Sequence, residues 1–391
     1  MAKQISSQSA LILIVIAQFL GTSLWFAGNA AAIEWEELLG KEGIIPMLTS
    51  VVQLGFISGT LLYAFWSIPD RYSPSEVFFF SAILAALSNL AILILPLSYG
   101  SLLTFRFLVG FFLAGIYPVG MKIAADYFEK GLGSALGFLV GALVLGTAFP
   151  FLIKALGLAF SWKIILFTTS GLALIGGVLV GFFVPDGPFR KINPKFDLGL
   201  LPKLSKNKAL KASASGYFGH MWELYTFWAF LPALISFLVK ESTPNTQSLW
   251  TFFIIAIGGV SCAVGGFIAS KKGSDKVALW SLTGSGLCGL ILLLVPNFPL
   301  IFVLPFLLIW GILVTADSPQ FSTLVAQSVN PEHRGTALTL VNCMGFALTV
   351  VSIQFTRYLG NFLEPKIYLG LLFLGPLLGV LLFKKFKNQK A

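Results

Sequence analysis

Charged residues are scarce in this sequence. Of its 391 residues, only 11% are Asp, Glu, Lys or Arg, whereas 57% are hydrophobic. A soluble globular domain carries about 25% charged residues, and a disordered chain combines low hydrophobicity with high net charge. Both classes are excluded, because so few charged side chains cannot cover the surface of a soluble protein of this size. The composition predicts an all-α membrane protein.

Cysteine and histidine, on which disulfide frameworks and most zinc sites depend, are also rare. Cys262, Cys288 and Cys343 lie in apolar runs without pairing spacing, and we expect them to be buried and reduced. The two histidines, His220 and His333, are far apart in the sequence. Because neither a metal-ligand spacing nor a clustered set of catalytic groups is present, we expect no metal, no cofactor and no enzymatic activity.

Long apolar runs fill most of the chain. A helix that crosses the hydrocarbon core needs about 20 residues. Twelve such runs fit the sequence with short connections, which leaves no room for a separate soluble domain. The predicted spans, helices 1 to 12, are residues 10–33, 44–68, 76–97, 102–127, 132–156, 162–184, 213–239, 249–270, 276–295, 299–327, 335–358 and 365–383.

The longest polar stretch separates six predicted helices from six others. It is basic and rich in proline, which is typical of a connecting segment. We therefore predict an N-terminal six-helix bundle over residues 1–184, a cytoplasmic linker with a short surface helix over 185–212, and a C-terminal six-helix bundle over 213–391.

The basic residues predict how the chain is oriented. There are 26 Lys and Arg residues against 16 Asp and Glu, a net charge of +10. If the N-terminus is cytoplasmic, most basic residues lie at cytoplasmic helix ends. The exceptions are Arg106 inside helix 4 and six residues at external ends: Lys41, Lys154, Lys163, Lys240, Arg357 and Lys366. The positive-inside rule then places both termini in the cytoplasm, with the chain in the inner (cytoplasmic) membrane. Since orientation accounts for the positive charge, nucleic-acid binding is not expected.

Short matches between the two halves indicate an internal duplication. Residues 70–73 after helix 2 align with residues 270–273 after helix 8, Pro118 aligns with Pro319, and residues 133–136 align with residues 335–338. The offset is nearly constant at three equivalent positions. The two bundles are therefore predicted to be pseudo-symmetric copies of one six-helix unit.

The loops at these repeated positions carry a recognisable motif. Asp70 and Arg71 supply an acid and a base after helix 2, and Lys271 and Gly273 supply a base and a glycine after helix 8. Divided in this way between the halves, the residues resemble the loop motif of the major facilitator superfamily. In that family the loop gates the cytoplasmic side, so the resemblance implies a gating role for these four residues.

Helix 4 strengthens this resemblance. Its residues Arg106, Gly110, Ala114 and Gly115 are similar to the family's arginine-containing helix 4 motif, whereas Ala142 in helix 5 replaces the proline of the exporter motif. Membership implies two bundles around a central cavity lined by helices 1, 4, 7 and 10. It also implies substrate binding near the bilayer midplane and alternating access, and we expect a monomer.

Four ionisable residues lie clearly inside predicted spans, away from their ends, where each costs about 2.5–3.5 kcal/mol on insertion scales. Arg106 is on helix 4, His220 and Glu223 are three residues apart on helix 7, and Asp317 is on helix 10. These are helices that the resemblance places at the cavity. Glu223 falls near the midplane. Burial raises a carboxyl pKa and a nearby cation lowers it. An acid whose partner changes with conformation therefore takes up and releases a proton. Glu223 is the predicted coupling residue, acting directly or through His220.

Two of these residues have alternative interpretations. Arg106 keeps its charge and needs a lasting partner, which is a substrate carboxylate or phosphate, an acid such as Glu223, or a structural contact. Asp317 precedes Pro319, which should loosen helix 10. Gating or substrate contact is one interpretation of Asp317, and capping of the loosened backbone or exposure to water is the other.

Other polar and aromatic residues in the spans are candidate substrate contacts, with interhelical hydrogen bonding or packing as the alternative. At the cytoplasmic end of helix 4, Lys122 and Asp126 are predicted to form a surface pair. The further candidates for substrate contact are Trp25, Asn29, Gln53, Tyr117, Tyr217, Trp222, Trp228 and Asn342.

The leading functional hypothesis is a proton-coupled secondary transporter of a small anionic or zwitterionic metabolite. The alternative is proton-coupled export of amphipathic drugs or cations, which the two internal acids and the aromatic residues of helix 7 would suit. A membrane enzyme or a sensor is disfavoured, because no catalytic cluster and no output domain are found.

Overall fold

The computed structural model describes residues 5–128, 132–157, 161–190, 196–295 and 300–388, and every regular element in these ranges is helical. Twelve helices are long and apolar enough to cross a membrane, as predicted. The part of the predicted linker at 191–195 lies outside these ranges. So do five basic residues used to predict the orientation: Lys3, Lys130, Lys191, Lys195 and Lys390.

The twelve membrane helices are numbered α1 to α12 in chain order. They comprise α1 Ser7–Leu39, α2 Ile45–Phe65, α3 Pro74–Ile94, α4 Tyr99–Tyr127, α5 Leu132–Leu156, α6 Trp162–Phe183, α7 Lys208–Leu238, α8 Pro244–Lys272, α9 Ser274–Leu294, α10 Leu300–Gln327, α11 Arg334–Leu359 and α12 Pro365–Asn388.

The chain divides into two compact units, Met1–Asn193 and Pro194–Ala391, which contain α1–α6 and α7–α12. Helix α7 begins five residues before its predicted start, because Asn207 caps it by accepting a hydrogen bond from the Leu210 amide at 3.0 Å. A short helix, Leu201–Leu204, precedes this cap and matches the surface helix expected in the linker.

Glycines bring α2 and α4 into close contact in the first unit. A Cβ atom added at Gly55 would lie 2.1 Å from the Phe107 carbonyl oxygen, and one at Gly110 would lie 2.0 Å from that of Val52. Gly59 faces α4 in the same way. The two backbones therefore approach as closely as small residues allow in membranes.

In the second unit, α7 is held by α12 on one side and α11 on another. Gly219 of α7 lies against Gly375 and Gly379 of α12, where an added Cβ would be 2.6 Å from the Gly375 carbonyl oxygen. On the other side, the Thr349 and Ser352 hydroxyls of α11 donate to α7 carbonyl oxygens at 2.7 and 2.6 Å. Helix α7 is consequently the central element of this unit.

Two membrane helices are interrupted next to a proline. Helix α4 breaks between Leu113 and Tyr117, and α10 breaks at Asp317. Each break immediately precedes a proline, Pro118 or Pro319, which lacks the amide hydrogen that would continue the helix. The loosening predicted for helix 10 is thus present, and a break occurs at the corresponding position of helix 4.

Helix α1 is also interrupted, which the sequence did not predict. Its two parts, Ser7–Thr22 and Ala27–Leu39, are joined by four non-helical residues without any proline. The physical reason lies in α4, whose arginine takes up the carbonyl groups released at the break.

Candidate functional site

Arg106 lies at the interruption of α1. Its side chain is completely buried, and Nη2 donates to the carbonyl oxygens of Leu24 at 2.9 Å and Trp25 at 2.6 Å. A charged donor makes stronger hydrogen bonds than a neutral one. The guanidinium therefore compensates for backbone bonds that α1 gives up at its break.

Asn89 of α3 extends this contact across the unit. Its Oδ1 accepts from Arg106 Nη1 at 3.2 Å, while its Nδ2 donates to the Ser170 hydroxyl at 3.0 Å and to the Leu166 carbonyl oxygen at 3.1 Å on α6. Gly28 leaves room for the guanidinium, because a Cβ there would lie 2.8 Å from Arg106 Nε. Among the described residues, no carboxylate forms an ion pair with Arg106, which matches the structural alternative considered for it.

His220 and Asp317 form a buried pair in the second unit. His220 Nδ1 on α7 lies 2.8 Å from Asp317 Oδ1, and the side chains are 1% and 0% exposed. Asp317 sits at the break of α10. Its complete burial does not fit exposure to water, one of the alternatives considered for it. The carboxyl joins the break of α10 to α7.

Glu223 has a different set of partners. Its Oε1 accepts from the Trp310 indole nitrogen of α10 at 2.7 Å, and its Oε2 contacts the Ser285 hydroxyl of α9 at 2.7 Å. The side chain is completely buried. Both partners are uncharged, and His220, one turn earlier on the same helix, is directed to Asp317 instead.

A row of hydrogen bonds joins α7 to α11 beside these acids. The Tyr217 hydroxyl donates to Asn342 Oδ1 at 2.5 Å, and the Thr226 hydroxyl donates to Ser352 Oγ at 2.8 Å. Two predicted site residues, Tyr217 and Asn342, are thus brought together as an interhelical contact.

The aromatic candidates of α7 face different neighbours. Trp222 is half-buried against α12, where Gly375 leaves space for its ring, and its ring centroid lies 6.0 Å from that of Phe355. Trp228 is fully buried, and its ring packs edge-on against Tyr225 at 5.2 Å.

The candidates of the first unit cluster around Phe56 of α2. The ring centroids of Trp25 and Tyr117 lie 5.0 and 6.5 Å from that of Phe56, and Gln53 is fully buried one turn earlier on α2. Asn29 donates from Nδ2 to the Thr49 hydroxyl at 2.8 Å. These residues of α1, α2 and α4 therefore share one region of the unit.

The predicted gating residues occupy ends of helices. Lys122 of α4 forms an ion pair with Asp70 at 2.8 Å, so the predicted pairing of Lys122 with Asp126 is wrong. The short helix Ile68–Arg71 turns the chain there and brings the Asp70 carboxylate within reach of α4, while Arg71 is exposed. In the second unit, Lys271 lies over the Phe267 ring at 4.4 Å, and Gly273 has a φ of 92°, which favours glycine.

The segment after α6 folds back onto the loop that holds Asp70. Asp186 accepts a hydrogen bond from the Ser73 hydroxyl at 2.7 Å and pairs with Arg190, whose Nη2 donates to the Tyr72 carbonyl oxygen at 2.8 Å. The first residues of the predicted linker are therefore fixed to the N-terminal unit.

Three residues of these networks were not predicted from the sequence, namely Asn89, Ser285 and Trp310. An interhelical hydrogen bond of Asn89 was predictable from the sequence, because a carboxamide in an apolar span is expected to bond to another helix. A serine and a tryptophan are ordinary in such spans, so only the fold identifies them as partners of Glu223. Within the described ranges, no group of three or more His, Cys, Asp or Glu residues is placed to hold a metal ion.

Comparison with known proteins agrees with this architecture. The sequence profile of the Major Facilitator Superfamily matches residues 10–353. Among solved structures, the fold is similar to the crystal structure of a bacterial homologue of the human lysosomal transporter Spinster, in an inward-facing and unoccupied conformation. The two chains share 14% identity over 98% of each, with a TM-score of 0.67. The chain therefore belongs to the Major Facilitator Superfamily and is a multi-pass membrane transporter of small molecules rather than an enzyme.

Proposed function

We propose that this secondary transporter is coupled to protons and that Glu223 carries the coupled proton. The observation behind the proposal is the contrast between the two buried acids of the second unit. Asp317 has a partner that can be cationic, His220, whereas the hydrogen-bond partners of Glu223 among the described residues are the neutral donors Trp310 and Ser285.

Burial without a cation makes the ionised form of Glu223 expensive. A buried carboxylate is tolerated when it is paired or fully hydrogen-bonded, and otherwise the carboxyl holds its proton. To release that proton, Glu223 needs a change in its surroundings. Alternating access supplies such a change, so proton binding and conformation are linked at this residue.

Glu223 lies in the interior of the C-terminal unit. Its partners belong to α9 and α10, so that three helices of that unit meet at one carboxyl. Loss or gain of one proton there alters contacts among α7, α9 and α10 directly. Coupling by this route is direct and does not require His220 as an intermediary.

We assign Arg106 a structural role, in which it stabilises the interruption of α1. Its hydrogen bonds to Leu24, Trp25 and Asn89 all join it to protein groups of α1 and α3, which supports a structural role. The anionic or zwitterionic character of the substrate stays a prediction from the sequence. The cytoplasmic location of both termini, the inner membrane and the monomeric state are expectations of the same kind.

Uptake into proteoliposomes tests the proposed function. The purified chain is reconstituted, and a panel of small anionic, zwitterionic and cationic solutes is offered with and without an imposed pH gradient. We expect the gradient to drive accumulation of one class, and a protonophore to abolish the accumulation. Gradient-driven extrusion of amphipathic cations would support the export alternative, and transport that ignores the gradient would contradict proton coupling.

A further inference from the structure

The Ser285 hydroxyl has two neighbours that compete for its single hydrogen. Its Oγ lies 2.7 Å from Glu223 Oε2 and 3.1 Å from the carbonyl oxygen of Leu282, one turn earlier on α9. A serine hydroxyl donates one hydrogen bond and accepts others. It can therefore donate to the carboxyl or to the carbonyl group, but not fully to both.

The protonation of Glu223 decides which neighbour receives that hydrogen. An ionised carboxylate only accepts, so Ser285 must donate to Oε2. A protonated carboxyl carries a hydrogen of its own, which Oε2 donates to Ser285 Oγ, and the serine then donates to Leu282. Every polar hydrogen has an acceptor in both arrangements, and they differ by one proton on Glu223 and one rotation of the serine hydroxyl.

We infer that Ser285 is a positioning residue that transmits the protonation state of Glu223 to α9. The inference rests on the proposed function, because it gives the coupled proton a structural consequence. Ser285 is completely buried, so water does not replace either neighbour in the contacts described. The proton that binds Glu223 comes from the aqueous phase and returns to it, and no covalent bond other than the O–H bond changes.

The surroundings of Glu223 favour this arrangement. Trp310 donates to Oε1 in both protonation states, because an indole nitrogen is only a donor. This bond fixes the carboxyl with Oε2 toward α9. The indole is itself held by stacking on Phe227, with ring centroids 4.5 Å apart.

The titratable groups near Glu223 can be named for each neighbouring helix. Asp317 faces it from α10 and Cys288 from α9, while His220 of α7 and Cys262 of α8 lie toward Asp317. No lysine or arginine of the described residues forms an ion pair with Glu223.

Infrared difference spectroscopy on the full-length protein in lipid nanodiscs tests the inference without any substrate. The protein is taken through a pH series, and the carbonyl-stretching band of a protonated buried carboxyl is followed. The band that Glu223→Gln removes is assigned to Glu223. Ser285→Ala deletes the hydroxyl, Ser285→Thr restores one, and Ser281→Ala is the matched control, a buried serine one turn earlier on α9.

The expected result is a change in both frequency and titration for Ser285→Ala alone. The band should shift because the carboxyl hydrogen loses its acceptor. Its pH midpoint should move upward by about one unit, because the carboxylate loses a charge-assisted bond and the protonated form loses only a weaker, neutral one. Ser285→Thr should restore both values toward those of the wild type, and Ser281→Ala should leave them unchanged.

Two other outcomes would overturn the inference. A Glu223 band that is identical in wild type and Ser285→Ala would show that the serine does not sense the proton. A band that shifts equally in Ser285→Ala and Ser281→Ala would indicate general loosening of α9. Neither outcome bears on gradient-driven uptake, so failure of this inference is distinguishable from failure of the proposed function.

Discussion

Arg106 illustrates how a buried charge is stabilised here without a counter-ion. Its guanidinium is surrounded by carbonyl and carboxamide oxygens of α1 and α3, and each of these bonds is charge-assisted. The arrangement links two features that the sequence presents separately, namely an arginine in helix 4 and a stretch of α1 without helical structure.

Substituting Arg106 should destabilise the whole protein, because the side chain bonds groups of several helices. In Arg106→Gln, the shorter side chain leaves at least one buried carbonyl oxygen of Leu24 or Trp25 without a donor. We expect the free energy of unfolding to fall by about 2 kcal/mol or more. Denaturant unfolding in detergent measures this change, and Arg357→Gln, which replaces an exposed arginine at the end of α11, serves as the control. Equal stability of the two variants would contradict the assignment of Arg106.

The two acids of the second unit form separate contacts, which a double-mutant cycle can detect. The cycle between His220→Gln and Asp317→Asn should show a coupling energy in the range of about 0.5–3 kcal/mol, because the residues are in direct contact. The cycle between His220→Gln and Glu223→Gln should show a smaller coupling, since no hydrogen bond joins those residues. Unfolding of each variant in detergent provides the energies. A stronger coupling of His220 to Glu223 than to Asp317 would refute this pairing.

At the scale of elements, the two units share some helix interruptions and differ in others. The breaks of α4 and α10 stand at equivalent positions of the repeat, next to Pro118 and Pro319. The break of α1 has no counterpart in α7, which is continuous from Lys208 to Leu238 and carries His220 and Glu223. The first helix of each unit therefore differs: α1 is interrupted, whereas α7 is intact and carries ionisable residues.

The contact between α2 and α4 should be intolerant of added volume. In Gly110→Ala, the new methyl group would lie 2.0 Å from the Val52 carbonyl oxygen, so the helices must separate. We expect a loss of about 1–3 kcal/mol in unfolding free energy, as for other overpacked interiors. Thermal unfolding in detergent checks this loss. Gly171→Ala on α6, where a Cβ meets nothing within 4 Å, should be neutral or slightly stabilising. Equal effects of the two substitutions would contradict close packing at Gly110.

For the whole molecule, the sequence predicts the helices better than it predicts their partners. Apolar length determines a membrane span, and so all twelve helices were predicted with ends that differ from the structure by a few residues. The break at Asp317 was predictable from Pro319. The break of α1 was not predictable, because it depends on Arg106, which lies far along the chain. Neither the residues of α1 nor their hydropathy indicate that contact.

For the candidate site too, the residues were predictable from the sequence but their contacts were not. The four internal ionisable residues were identified from their scarcity, and all four are fully or almost fully buried. Their pairing was not predictable, because residues three apart on one helix share a face without necessarily sharing a partner. His220 and Glu223 contact different groups on α9 and α10, and Lys122 contacts Asp70 rather than a residue of its own helix.

For the transporter as a whole, the central proposal is that a proton on Glu223 couples the gradient to transport. A transporter that cannot release its coupling proton still exchanges substrate across the membrane, because exchange requires only the loaded forms to interconvert. Accumulation against a gradient, by contrast, requires proton release. Glu223→Gln imitates the permanently protonated residue and therefore separates the two activities.

The most direct measurement compares substrate exchange and gradient-driven accumulation in proteoliposomes containing Glu223→Gln, once the solute panel has identified a substrate. Glu241→Gln, which alters an exposed carboxylate after α7, is the matched control. We predict that Glu223→Gln keeps exchange but loses accumulation, while Glu241→Gln keeps both. Accumulation by Glu223→Gln at the wild-type level would contradict the assignment of Glu223 as the coupling residue.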